Sequence, residues 1–78
     1  MSKRVLLECL ADDDADAEAL AEAMEVAYPT AAMAVLRAWR QGLVHRFVDD
    51  DTGHYFYRLT DRGAERLAHM RSSNDTNV

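Results

Sequence analysis

The segment from Gly42 to Gly63, GLVHRFVDDDTGHYFYRLTDRG, constrains the fold more than any other part of the chain. Two runs of β-prone residues, Leu43–Val48 and Tyr55–Leu59, flank a polar stretch that is dense in turn-forming residues. A helical pattern runs into Gly42, where a glycine commonly ends a helix, and Thr60 is a good N-cap for a helix that follows. The segment therefore predicts a β-hairpin held between two helices.

Apolar residues at helical spacing predict three helices in all before the hairpin. The first covers residues 3–11, the second about 15–24 with Asp14 or Asp16 as its N-cap, and the third has Pro29 in its first turn and runs to about residue 41. We expect these inward-facing residues: Val5, Leu6, Cys9, Leu10, Leu20, Met24, Val35, Leu36, Trp39, Ala64, Leu67, Ala68 and Met70. Trp39 is expected either to pack beneath the last helix or to form part of a dimer contact. Residues 1–71 make one domain, and the small, polar residues 72–78 are expected to form a disordered tail.

This order of elements resembles the winged helix-turn-helix domains of MarR-, ArsR- and PadR-type regulators, and is also similar to small haloarchaeal phage-repressor-like domains. The resemblance is carried by LAEAM (Leu20–Met24), RQGLV (Arg40–Val44) and YRLTDRG (Tyr57–Gly63). It implies an α+β fold with three helices, a two-stranded β-wing and a C-terminal helix. It also implies a small DNA-binding transcriptional regulator, acting as a homodimer, whose third helix enters the major groove while the wing holds the flanking backbone.

The resemblance places the candidate DNA-contacting residues on the third helix and on the wing. They are Tyr28, Thr30, Met33, Arg37, Arg40, Arg46, His54 and Arg58. Bases are usually read by Arg, Lys, Asn or Gln, and near the start of the third helix only Tyr28, Thr30 and Arg37 can form hydrogen bonds. We therefore expect modest base specificity, with Arg37, Arg46 and Arg58 on phosphates. We also expect one positive strip from the end of the third helix over the wing, interrupted by an acidic turn.

The charge balance opposes this function and keeps an alternative open. The chain has 14 acidic residues against nine Lys and Arg, a formal net charge of −5, and Lys3 is its one lysine. Net negative charge repels phosphates. Such a composition is typical of proteins from salt-in halophiles, and a GC-rich genome explains it equally well. The alternative is a protein-interaction module that binds its partner through the third helix, with the arginines paired to local acids.

Enzyme, metal, cofactor and membrane roles are not predicted. No nucleophile–base pair or cofactor fingerprint is present, and the protease-like triplet Asp51–Gly53 falls in the predicted turn. The histidines and Cys9 lack zinc-type spacing, although His45 and His54 could approach each other across the hairpin and share a cation. The apolar runs are too short to span a bilayer, and one cysteine, expected in the core, fits a reducing cytoplasm.

Overall fold

The structure is a computed structural model that describes residues 3–76, with side chains through residue 72. Its elements in chain order are α1 (Lys3–Asp12), β1 (Ala15–Asp16), α2 (Ala17–Met24), α3 (Tyr28–Arg40), β2 (Val44–Val48), β3 (Tyr55–Leu59) and α4 (Asp61–Thr76). The predicted α+β order of three helices, a two-stranded wing and a fourth helix is confirmed. Helix α4 continues five residues beyond the expected domain end at residue 71, and residues 77 and 78 of the expected tail lie outside the described residues.

The sheet has three strands where the sequence predicted two. It is antiparallel with the order β1-β3-β2, and β1 pairs with β3 through Ala15↔Tyr57 and Asp16↔Phe56. The prediction that Ala15 belongs to the second helix is therefore wrong, and α2 begins at Ala17. A two-residue strand gives no alternating pattern to detect, and alanine is the strongest helix former. The N-cap of α2 is Asp16, whose Oδ1 accepts a hydrogen bond from the Ala19 N–H at 2.8 Å.

The core lies where α1, α2 and α3 meet one face of the sheet. Its buried residues are Leu6, Leu7, Leu10, Leu20, Ala21, Met24, Ala31, Val35, Ala38, Leu43, Val44, Tyr57 and Leu67. Among the expected inward-facing residues, Cys9, Leu36 and Met70 are half-buried, whereas Val5, Trp39, Ala64 and Ala68 are exposed, so those four predictions are wrong. On α3 the buried face is formed by Ala31, Val35 and Ala38, whose small side chains allow close packing against α2, and Trp39 lies outside this face.

The hairpin is tied to the start of α4 by Thr60 and Gly63. The Thr60 hydroxyl donates to the Gly42 carbonyl at 2.7 Å and accepts from the Gly63 N–H at 3.0 Å, which confirms Thr60 as the N-cap. Gly42 adopts a φ of 77°, as expected for a glycine just beyond a helix end. These bonds fix the direction in which the wing leaves α3.

Cys9 is half-buried, and burial raises the pKa of its thiol, with Glu8 and Asp12 adding to the rise. The thiol therefore stays protonated at neutral pH, as in an inert packing residue.

Within residues 3–76, no single helix is long and apolar enough to cross a membrane. Helices α2 and α3 have sufficient length and apolarity only when taken together, across a bend of 111°.

Candidate nucleic-acid interface

The turn between α2 and α3 sets the angle of the third helix. Glu25 adopts a left-handed conformation (φ 57°), and its N–H donates to the Glu22 carbonyl at 3.2 Å. The N–H of Val26 reaches back to the Ala21 carbonyl at 3.0 Å, which completes a Schellman-type end to α2. Helix α3 then begins after Ala27, which provides no side-chain cap, with Pro29 in its first turn as predicted.

The outer face of α3 is a stripe of four predicted contact residues. Thr30, Met33, Arg37 and Arg40 recur at intervals of three, four and three residues, so they project from one side of the helix. All four are exposed, and Met33 retains 51% of its accessible surface. Thr30, Met33 and Arg37 also line a shallow groove of about 400 Å³ together with Pro29 and Ala34.

Arg37 and Arg40 are the unpaired cations of this stripe. Neither forms an ion pair with another side chain in the described part of the protein. Both lie in the last turn of α3, where positive charge is stabilised by the helix dipole. Their guanidinium groups are therefore available to a ligand without displacing a carboxylate.

Tyr28 and His54 lie apart from that stripe. Both line a cleft of about 360 Å³ between the start of α3 and the tip of the wing, and Asp16 and Glu18 from the start of α2 form part of its wall. The predicted residues at the start of α3 therefore divide between two sides of the helix. Thr30 and Met33 face outward, whereas Tyr28 faces the wing.

Arg46 holds the wing against α3. Its Cζ lies 4.0 Å from the centroid of the Trp39 ring and 4.4 Å from that of the Tyr55 ring. A guanidinium over aromatic faces is attracted by both rings, and its planar shape also stacks on them. Trp39, 37% exposed, therefore packs on a wing residue and not beneath α4, so that prediction is wrong, whereas its part in a dimer contact stays a prediction.

Arg58 lies on the opposite face of the wing and is already paired. Its Nη2 lies 2.9 Å from Asp14 Oδ2 and its Nε 3.3 Å from Asp14 Oδ1, while its Cζ lies 4.9 Å from the Phe47 ring centroid. The hydrogen bond from Arg58 lowers the pKa of Asp14, and the same bond raises the pKa of Arg58. Continuing the register Ala15↔Tyr57 by one residue brings Asp14 opposite Arg58, so the sheet itself aligns the pair.

The wing register shows that the predicted positive strip does not form. His45 pairs with Arg58 and Arg46 pairs with Tyr57, so Arg46 and Arg58 point to opposite faces and do not belong to one positive strip. His45 and His54 do not meet, because His54 lies at the other end of the wing, where its carbonyl accepts from the Asp49 N–H at 2.9 Å. A cation shared by these two histidines, which the sequence left conceivable but did not predict, therefore has no support among the described residues.

The wing tip is an acidic turn, as the sequence predicted. Asp49 Oδ2 accepts hydrogen bonds from the Thr52 N–H at 3.1 Å and from the Thr52 hydroxyl at 3.0 Å, and Gly53 takes a φ of 74°. Asp50 and Asp51 are exposed at the apex. The tip of the wing is therefore the part of this surface least suited to approach a phosphate backbone.

Together, the helix pair, the three-stranded sheet and the hairpin define a winged helix-turn-helix domain. Within that class the chain is similar to solved MarR-type structures. A MarR family transcription regulator matches with a TM-score of 0.88 and 23% identity over 96% of this chain. ZitR from Lactococcus lactis, solved as a mutant, matches with a TM-score of 0.82 and 13% identity over 95%. A mutant MepR from a multidrug-resistant S. aureus clinical isolate matches with a TM-score of 0.80 and 22% identity, also over 95%.

These likenesses establish the fold. The chain spans about half the length of the structures it matches: 51% of the first two and 54% of the third. No protein-family model matches the sequence. No curated protein matches it either. The resemblance noted from the three sequence motifs is thus confirmed at the level of the winged-helix fold.

Proposed function

We propose that this protein is a small DNA-binding transcriptional regulator, not an enzyme, in which α3 enters the major groove and the wing lies along the flanking backbone. The observation that carries the proposal is the exposed stripe on α3, where Arg37 and Arg40 have no carboxylate partner in the described structure. A helix-turn-helix uses this face of its second helix to reach base edges. The similar solved structure that is described as a MarR family transcription regulator supports the same use of the fold.

The eight candidate residues take different roles in this proposal. Thr30 and Met33 face the bases, and Met33 contributes apolar contact only, for example with thymine methyl groups. Arg37 and Arg40 bind phosphates. Arg46 sets the position of the wing through Trp39 and Tyr55, and Arg58 reaches a phosphate only after Asp14 releases it. Tyr28 and His54 flank the backbone at the edge of the cleft.

The proposal also includes a homodimer in the cytoplasm and no cofactor. Two copies would place their α3 helices in successive major grooves, which doubles the number of contacts available to a helix with few base-reading side chains. The exposed acids of α2, Glu18 and Glu22, face away from the core and repel phosphate. We therefore expect weak binding with modest base specificity, in which the phosphate contacts of Arg37 and Arg40 carry most of the affinity.

Fluorescence anisotropy with a labelled random-sequence duplex pool tests the proposal. Arg37→Ala should weaken binding and lower the slope of log K against log salt by about 0.9, because one phosphate contact is lost. Arg66→Ala is the matched control, since it removes the same charge from an exposed position on α4, which packs mainly against α1 and β3. Equal effects of the two variants would show that DNA affinity depends only on net charge, which would contradict a direct contact of α3 with DNA.

Sequence preference needs a separate measurement. Rounds of selection from the same pool should enrich a motif with the parent protein and a weaker motif with Thr30→Ala, because that hydroxyl is the one hydrogen-bonding group of the stripe near the start of α3. An unchanged motif in Thr30→Ala would contradict the docking of this face against bases.

A protein partner is the second candidate, favoured by the apolar part of the same groove. Pro29, Met33 and Ala34 form its wall, and half of the Met33 surface is exposed. If DNA binding is absent at every salt concentration, a pull-down whose captured protein is lost in Met33→Glu would favour this function. Arg40→Glu serves as the control, because it lies on the same stripe outside the groove.

A further inference from the structure

The cleft between α3 and the wing has the composition of a small-molecule site. Its volume of about 360 Å³ lies within the range of ligand pockets. Two tyrosines with largely exposed side chains form part of the wall, Tyr28 at 56% and Tyr55 at 53% exposure. A third, Tyr57, is 7% exposed and also lines the cleft.

The hydroxyl of Tyr57 lacks a partner. Buried tyrosines usually place this group in a hydrogen bond, but it forms none among the described residues. The oxygen is not sealed from solvent either, since the described region contains no fully enclosed side-chain oxygen or nitrogen without a partner. Tyr57 therefore lines the cleft and has a hydroxyl whose donor and acceptor are both unused in the described part of the chain.

The charges around the cleft favour a cation. Asp16 and Glu18 are carboxylates in its wall, and no lysine or arginine lines it. Asp16 uses Oδ1 to cap α2, and neither carboxylate forms an ion pair in the described structure. Arg46 contacts the Tyr55 ring at 4.4 Å but is not part of the wall, so the Tyr28 ring face is the one left for a ligand. Two acids and tyrosine rings together attract an organic ammonium group into the cleft and disfavour an anion inside it, whereas the proposed phosphate contacts of Tyr28 and His54 lie at its edge.

We propose that this cleft binds a small organic cation, a primary amine carried on an aromatic body. The ammonium group lies between the carboxylates of Asp16 and Glu18 and donates a hydrogen bond to the Tyr57 hydroxyl, while the aromatic body packs against Tyr28. This site does not depend on the proposed function, because its occupancy is measured on the protein without DNA.

Three probes of similar shape distinguish the effect of ligand charge on affinity from the effect of ligand shape. They are 2-phenylethylamine, which is cationic at neutral pH, neutral 2-phenylethanol and anionic phenylacetate. Each is titrated into ¹⁵N-labelled protein while the backbone amide shifts of Tyr28, Gly53 and Tyr55 are followed. The amine should bind about tenfold more tightly than the alcohol, in keeping with a cation–π contact and an ion pair, and phenylacetate should bind least. Equal affinity for all three probes, or no saturable shift with the amine, would overturn the proposal.

Two variants and a control locate the site. Glu18→Gln and Tyr57→Phe should each weaken the amine severalfold, and Tyr57→Phe should fold normally because its hydroxyl has no partner to lose. Glu22→Gln removes the same charge from α2 at an exposed position outside the cleft, and it should bind the amine like the parent. If Glu22→Gln weakens binding as much as Glu18→Gln, the amine responds to overall charge and the site is wrong.

Discussion

Arg58 and Asp14 form a two-point contact across the sheet, with Nη2–Oδ2 at 2.9 Å and Nε–Oδ1 at 3.3 Å. Asp14 directly precedes β1, and Arg58 lies on β3, so the contact joins residues 44 positions apart. Both side chains keep much of their solvent exposure, so the pair adds little to stability. Its main consequence concerns the proposed DNA contact, because a guanidinium already bound to a carboxylate is a poor partner for phosphate.

Releasing Arg58 should strengthen DNA binding. Asp14→Asn removes the carboxylate charge, so the guanidinium becomes available and the slope of log K against log salt should steepen by up to about 0.9. Anisotropy over a salt series measures this. Asp13→Asn is the control, since it removes a neighbouring charge that does not contact Arg58. An equal gain in affinity for Asp13→Asn would mean that the acidic loop acts only through its total charge.

The same pair should give a signed pH dependence. The hydrogen bond from Arg58 lowers the folded pKa of Asp14 below its ordinary 3.8, so the pair's contribution to stability is present above that value and is lost as pH falls through the lowered pKa. Urea midpoints of the parent and Asp14→Asn should therefore converge as the solution is acidified. A difference that grows toward low pH would contradict the pairing.

The contact of Arg46 with Trp39 can be followed by fluorescence, because the chain has one tryptophan. Arg46→Ala should shift Trp39 emission to longer wavelength and destabilise the fold by about 1 kcal/mol, since both ring contacts are lost. Arg46→Lys should recover only part of this, because an ammonium cannot stack on the rings. Arg40→Ala is the control for charge loss beside Trp39. Emission that is unchanged in Arg46→Ala would contradict the wing contact.

The fold could be predicted because the residues that begin and end its helices and form its turns act locally. Pro29, Gly42 and Thr60 act within one turn of the helices they begin or end, and the hairpin alternates between β-prone and turn-forming residues. The faces of the wing could not be predicted, because they depend on the strand register, and a shift of one residue would exchange them. The sequence therefore led to the prediction that Arg46 and Arg58 belong to one positive strip.

The residues that Arg46 and Arg58 contact could not be predicted from the sequence either. Asp14 meets Arg58 only because the two-residue strand β1 exists, and β1 has no pattern of its own. Helical spacing placed Trp39 in the core, but the buried side of α3 is formed by two alanines and a valine, and Trp39 lies outside it, against Arg46 of the wing. In both cases the deciding contact is between elements distant in the chain.

The left-handed residue between α2 and α3 gives a stabilising variant. Glu25 has a φ of 57°, which costs an L-residue about 1 kcal/mol relative to glycine. Glu25→Gly should therefore raise the free energy of unfolding by up to about 1 kcal/mol in urea titrations. Glu25→Gln separates the backbone effect from the charge, and it should leave stability near that of the parent. If Glu25→Gln stabilises as much as Glu25→Gly, charge and not conformation is responsible.

Gly63 should be the least replaceable glycine of the described structure. A Cβ there would overlap the Leu43 carbonyl oxygen and lie 2.9 Å from Leu59 Cδ1, because α4 passes directly over the end of the hairpin. Gly63→Ala should therefore destabilise the domain by about 3 kcal/mol or more, as measured by helical circular dichroism in urea. Gly53→Ala is the matched comparison: its φ of +74° is unfavourable for alanine, but no atom lies within 4 Å of the new Cβ, so the loss should be about 1 kcal/mol. Equal losses at the two positions would contradict the close approach of α4 to the backbone of Leu43.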